Sequence, residues 1–356
     1  MAASLIFEPI TTATCEVLAG KESIRPLVPE FTDTFHQFLV RDPFGLRKAI
    51  VPVFLEDPSE VYGMGTAFHV DGWGTILTAA HVINEALVKR PIKESDIQAG
   101  WLKPEQFEKR LFLLPGQGLV YGTGPAATAP ADRGYLVLKK SDNPLRYGEF
   151  ETLADIATLQ VSFLPNQEAI STLPVRLSGR LPQVGETVLA VGFPELVCEP
   201  VDDLNHFISE GMYGAYGQVI KLHPKGTDRT NPTPVIEVEA NWRNGMSGGP
   251  VFNQKGEVVG IVSRALDPDG DNMGHGYAAC FQLMPWIRRF LPTVDPWNPG
   301  WRLGWGVMKS SPLYLAGFFG SEGMAHEYAK TLGADYEVIF GSNRIGTDKC
   351  RFPIGN

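Results

Sequence analysis

Gly245-Met246-Ser247-Gly248-Gly249-Pro250 is the stretch on which the reading of this chain turns. It follows a β-prone run, Val235–Glu239, and a short loop. It precedes Val251-Phe252, a Gln254-Lys255-Gly256 turn and a second β-prone run, Val258–Ser263. A serine between glycines presents its hydroxyl, and the backbone N–H groups beside it can point, unobstructed by side chains, at a negative charge developing there. An acyl-transfer nucleophile needs both features. The plainer alternative, a glycine turn that happens to contain serine, explains the flanking strands less well.

Gly245-x-Ser247-x-Gly249 also matches the letters of a nucleophile elbow, in which the serine sits between a strand and a helix. The context rejects that reading. Gly249-Pro250 followed by Val251-Phe252-Asn253 cannot open a long helix, and no alternating strand–helix units lie upstream. Outward from the hexapeptide, short β-prone runs recur between scattered Gly (38) and Pro (28): Ala49–Leu55, Gly65–Val70, Thr75–Ala79, Tyr135–Lys139 and Thr187–Val191. This pattern predicts an all-β fold of sandwich or barrel type. Helices are expected only at Phe31–Val40, Leu283–Phe290 and Glu322–Leu332, the last capped by Ser321 and closed by Gly333.

Two further segments carry chemistry. Thr78-Ala79-Ala80-His81-Val82 ends a predicted hairpin, so the imidazole sits at a strand end with small neighbours that leave space around it. None of the other six histidines has that context, which makes His81 the candidate general base. Asp155-Ile156-Ala157-Thr158-Leu159 places a carboxylate at the entry to an apolar strand, where it can orient an imidazole. Asp132 also lies between His81 and Ser247. It is followed by Arg133 and Gly134 and reads as a solvated turn residue, held in reserve for the same role.

In the order His81, Asp155, Ser247, these segments resemble the chymotrypsin/trypsin family of serine proteases. Val184–Pro194 is similar to the strand that opens the second barrel in the disulfide-free bacterial branch typified by the HtrA/Deg proteases. The resemblance covers about residues 45 to 291. It implies two antiparallel six-stranded β-barrels (about 45–170 and 171–291) with the triad between them, an oxyanion hole from the Gly245 and Ser247 N–H groups, and no cofactor. It also implies a primary pocket with Asn241 at its base and Ser263 to Ala265 along one wall, which leads us to expect cleavage after uncharged residues. Three departures stand out. No Cys follows His81. Met246 replaces the Asp that zymogen-type members pair with a new N-terminus, so control is expected from rearrangement of Trp242–Met246 or from a regulatory protein partner. No PDZ-like domain is recognisable after Leu291. An esterase, or an inert trypsin-like fold serving as a protein-binding module, are the competing readings.

The remaining expectations come from composition. A net charge of −9 without long Lys/Arg runs argues against nucleic acid, and no stretch of about 18 apolar residues suggests a membrane span. Four scattered cysteines fit neither a metal site nor a disulfide framework, and Met1–Gly20 does not read as a signal peptide, so a cytoplasmic location is expected. Residues 1–44 and 292–356 read as extensions, the second opening with a Pro-rich linker at 292–300.

Overall fold

The structure, a computed structural model, describes residues 37–39, 49–57, 60–70, 75–98, 101–113, 129–161, 177–178, 180–194, 196–200, 206–209, 211–228, 232–266, 274–284, 301–344 and 349–352. Two rings of strands carry the fold. The first is built from β1 (Ile50–Glu56), β2 (Val61–His69), β3 (Thr75–Thr78), β4 (Arg110–Leu113), β5 (Ala129–Lys140) and β6 (Glu149–Val161). They are hydrogen-bonded in the order β1-β2-β3-β6-β5-β4 and back to β1. The seams β2–β3 (Phe68↔Leu77, His69↔Ile76) and β4–β5 (Phe112↔Pro130, Leu113↔Ala129) are short, so this ring is close to a half-barrel.

The second ring is more completely zipped. It contains β7 (Thr187–Gly192), β8 (Tyr213–His223), β9 (Val235–Glu239), β10 (Pro250–Phe252), β11 (Val258–Leu266) and β12 (His275–Cys280), in the order β7-β8-β9-β12-β11-β10 and back to β7. Strand alternation places Ile236 and Val238 of β9 inside with Val219, Val262, Ala278 and Cys280, while Glu237 and Glu239 face outward. Each fully buried large side chain, such as Phe54, Phe68, Phe193 or Phe252, contributes about 1.5–3 kcal/mol of transfer free energy.

Between β3 and the rest of the first ring lies a five-residue helix, α1 (Ala80–Asn84). Val82 and Ile83 sink into the core, and the opposite side of the turn is thereby turned outward. Residues 301–352 form a four-stranded sheet, β13 (Trp301–Ser310), β14 (Leu313–Phe319), β15 (Tyr336–Arg344) and β16 (Cys350–Arg351), with α2 (Glu322–Leu332) packed on it. Val307, Ala325 and Ala329 are the buried centre of this sheet–helix unit, with Trp305 against them.

Several sequence expectations change here. Within Phe31–Val40, expected to be helical, Gln37–Leu39 is a strand paired with Tyr213–Ala215 of β8, because an open strand edge offers those backbone groups partners that a short isolated helix lacks. Asp132 belongs to β5 and is not in a turn: the hairpin with β6 extends past it to Ala131↔Val161. Of Leu283–Phe290, Leu283 ends the 3-10 turn Phe281–Leu283, and 285–290 lie outside the described residues, as do the linker and most of the first 44 residues. No helix among the described residues is long and apolar enough to cross a membrane.

Candidate active site

Among the first four residues of α1 His81 alone is exposed, its side chain 43% accessible, because Ala80, Val82 and Ile83 take the buried positions. Its ring is held from one side. Nδ1 lies 2.9 Å from Asp155 Oδ2 and 3.1 Å from Oδ1, and the His81 backbone N–H donates to the same Oδ1 at 3.0 Å. The carboxylate thus fixes both the ring and the turn that carries it, and leaves Nε2 as the nitrogen available for proton transfer.

Asp155 reaches His81 through a register shift in the β5–β6 pairing between Thr152 and Ala157. Such a bulge bends the strand and re-aims a side chain; here Ala154, Ile156 and Ala157 stay in the core while Asp155 turns to α1. The second ring completes its environment. The Ser263 hydroxyl of β11 donates to Asp155 Oδ2 at 2.5 Å, and the Asp155 N–H donates to the Thr233 hydroxyl at 2.9 Å. Burial would raise the Asp155 carboxyl, but hydrogen bonds from His81 and Ser263 and the facing imidazolium outweigh it and hold the group below the usual carboxylate range. For His81 burial pulls the pKa down, and the Asp155 hydrogen bond and charge overcome it, so the imidazole is raised above its ordinary value of 6.5.

Ser247 lies on the loop between β9 and β10. Trp242 and Met246 anchor that loop by burying their side chains in the second ring's core. Thr66 of β2 clamps it from the other ring: its N–H donates to Ser247 O at 2.8 Å, and its hydroxyl donates to Gly245 O at 3.0 Å while accepting the Phe193 N–H at 3.0 Å. Thr66 O in turn accepts the Thr78 hydroxyl at 2.7 Å, tying the clamp to the strand end that leads into His81. The approach is close enough to require glycine. A Cβ on Gly248 (φ +85°) would stand 2.0 Å from Thr66 O and 2.2 Å from Thr78 Oγ1, and one on Gly65 would stand 2.7 Å from Ser247 O and 3.1 Å from Val82 Cγ2. The Ser247 loop is therefore packed, through Gly65 and Gly248, against the strand end that leads into His81. In the loop, the Met246, Gly248 and Gly249 N–H groups each bond a backbone carbonyl; those of Gly245 and Ser247 have no backbone acceptor among the described residues.

The structure thus brings His81 and Asp155 into contact and seats the Ser247 loop beside them. Asn241, expected at a pocket base, begins the same loop half-buried, and Ala265 pairs with Gly276 on β12. Ser263, read from sequence as pocket wall, directs its hydroxyl to Asp155. Thr66 and Thr233 were not singled out in the sequence. A threonine in the otherwise apolar run Ala67-Phe68 was the only available signal for Thr66, since a fully buried hydroxyl requires partners.

Comparison with known proteins identifies the family. Residues 65–261 match the family model of the trypsin-like peptidase domain. The serine endoprotease DegS of Escherichia coli is 32% identical over 170 residues, covering 47% of this chain and 43% of that protein. A probable periplasmic DegP-like serine endoprotease of Pseudomonas putida is 28% identical over 193 residues, covering 53% of this chain and 36% of the relative. The chain therefore spans less than half the length of these relatives. A solved protease of M. tuberculosis in its active form is 17% identical, covering 71% of this chain and 85% of that one, with a TM-score of 0.37. The cytoplasmic expectation is overturned by relatives whose names place them in the periplasm; scattered cysteines do not specify a compartment. From the matched segment, more than half of its length, the chain belongs to the trypsin-like peptidase domain family.

Proposed function

We propose that this chain is a serine endopeptidase that hydrolyses peptide bonds through an acyl-enzyme, and that it acts in the periplasm as its named relatives do. The observation that carries the reading is the His81–Asp155 pair at 2.9 Å, with the Ser247 loop docked against the same strand end through Thr66. Ser247 Oγ attacks the scissile carbonyl carbon while His81 Nε2 takes its proton. The carbonyl oxygen, now an anion, is received by the Gly245 and Ser247 N–H groups. Collapse expels the amine as His81 returns the proton to it, and water repeats the sequence to release the acid. Asp155 keeps the imidazole in the useful tautomer and stabilises its charged form; Ser263 and Thr233 hold Asp155.

The pocket formed by Asn241, Ser263 and Ala265 receives the side chain before the cleaved bond. Met246 sits where an ion-pair partner for a new N-terminus would stand, and is buried in the second ring's core. Control therefore belongs to the loop Trp242–Met246 or to a protein partner acting on it. An esterase shares the serine chemistry and differs in the leaving group; an inert binding module needs no oriented imidazole. Digestion of a proteome-derived peptide pool by the purified protein, read by mass spectrometry, tests the proposal. New peptide termini that vanish with Ser247→Ala support it, and an unchanged pool despite ester hydrolysis refutes peptidase action.

A further inference from the structure

The outward face of β8, β9, β11 and β12 carries a charged network that the serine chemistry leaves unused. At its centre is Glu237 of β9. Its Oε2 lies 2.7 Å from Nε2 of His223 on β8, and its Oε1 lies 2.7 Å from Nδ1 of His275 and accepts from the Tyr277 hydroxyl at 3.1 Å, both on β12. Burial would raise this carboxyl, but the hydrogen bonds from His223, His275 and Tyr277 outweigh it and hold the group below its usual range. Glu237 is thus an ionised anchor whose acceptor sites are already taken.

Through Tyr277 the anchor stands beside a cation. Arg264 of β11 lies over the Tyr277 ring, 4.4 Å from its centroid, and donates to the Thr227 hydroxyl at 2.5 Å. His275, braced at Nδ1 by Glu237, is 38% accessible and has no partner for Nε2 among the described residues. Of the remaining charges on this face, Lys221 stands across from Glu237 and Glu239 across from His275. The stacked guanidinium is a pre-ordered donor that loses little freedom when a carboxylate binds to it, and the imidazole on the neighbouring strand, its Nδ1 committed to Glu237, donates from Nε2 to that carboxylate only by taking up a proton with it.

Their location links them to the catalytic centre. Arg264 directly follows Ser263, whose hydroxyl is on Asp155, and it pairs with Tyr277 across β11–β12. We propose that Arg264 and His275, braced by Tyr277, Glu237 and His223, form a subsite that binds an acidic side chain of the peptide substrate close to the cleaved bond. This rests on the peptidase reading of the adjoining triad. It adds a second determinant to the uncharged pocket base at Asn241.

The test compares peptides that differ only by Glu against Gln. In the digest of a proteome-derived pool, Asp and Glu are expected to be enriched near the cleavage sites. In synthetic peptides built on those sites, kcat/KM for the Glu form should exceed that of the Gln form by about tenfold. Arg264→Gln and His275→Gln should each shrink that ratio, and together bring it near unity. A ratio of one in the wild type, or variants that slow both peptides equally, would overturn the subsite. Binding gives a readout independent of cleavage: immobilised Ser247→Ala protein should retain acidic peptides from the undigested pool, and the Ser247→Ala/Arg264→Gln protein should not. Retention without any cleavage by the wild type would sink the peptidase reading and keep the subsite; cleavage and retention without acidic bias would do the reverse.

Discussion

Thr66 offers a perturbation whose size can be worked from the geometry. Its buried hydroxyl accepts the Phe193 N–H and donates to Gly245 O. Thr66→Val keeps the shape and removes both bonds, leaving a buried N–H without an acceptor and a carbonyl without its donor. At about 1–3 kcal/mol for each of the two groups left unsatisfied, the loss comes to roughly 2–6 kcal/mol of stability. Thr66→Ser keeps the hydroxyl and gives up only a methyl, about 1 kcal/mol. The larger consequence is catalytic, because Gly245 supplies one of the proposed oxyanion donors and Thr66 fixes the carbonyl on the other side of its Cα. Losing the alignment of one such donor costs on the order of 10²-fold in kcat, with KM little changed, and Thr66→Ser should recover most of it. Thermal unfolding and steady-state kinetics on a cleaved peptide, measured well below the unfolding temperature, separate the two effects. A folded Thr66→Val protein with wild-type kcat would refute the reasoning, whatever its melting temperature.

Other predictions follow from neighbouring contacts. Asp155→Asn should leave the fold intact and cut turnover by about 10⁴-fold, whereas Asp132→Asn should do little; labelling of Ser247 by a fluorophosphonate that depends on Asp132 and not on Asp155 would reverse the assignment. Because the Asp155 interaction lifts the His81 pKa above 6.5 against the pull of burial, kcat/KM should rise with pH through a midpoint above 6.5, and Asp155→Asn should move the midpoint of the residual activity downward. The same pair sets a stability window. The depressed Asp155 contributes above the ordinary carboxylate value of 3.8 and loses its contribution as pH falls through its folded pKa. The raised His81 contributes below 6.5 and loses its contribution as pH rises through its own folded pKa. The melting-temperature gap between wild type and Asp155→Asn should accordingly be widest between those values and narrow at alkaline pH. Gly248→Ala should abolish Ser247 reactivity, while Gly185→Ala, at φ +89° with nothing within 4 Å of the added methyl, should cost only about 1–2 kcal/mol.

What the sequence revealed, and what it concealed, follows from the range of the interactions. Val235–Glu239 and Glu322–Leu332 are observed with the expected bounds, because alternation in one and the Gly333 end of the other are local signals; the Ser321 side chain, expected to cap that helix, makes no capping hydrogen bond. The His81–Asp155 contact joins two residues that stand out in the sequence for a related reason: each has small or apolar neighbours in its own segment. The clamp at Thr66, the Ser263 hydroxyl on Asp155 and the Thr233 contact join residues 78 to 179 positions apart, and no local pattern encodes such a pairing. Asp132 reads as a turn residue because Arg133-Gly134 resembles a turn; the pairing of its neighbours Ala131 and Arg133 with β6 carries the strand past it, at a register shift. The Gln37–Leu39 strand likewise takes its conformation from β8.

The central claim is that Ser247 is a nucleophile activated by His81. Its most direct measurement is reaction of the purified protein with a fluorophosphonate, followed by tandem mass spectrometry to locate the adduct. The account predicts a single phosphonylated residue, Ser247, no adduct in Ser247→Ala, and a rate reduced by several orders of magnitude in His81→Ala, the scale of loss when a triad member is removed. An unmodified Ser247, or a rate unaffected by His81→Ala, would contradict it.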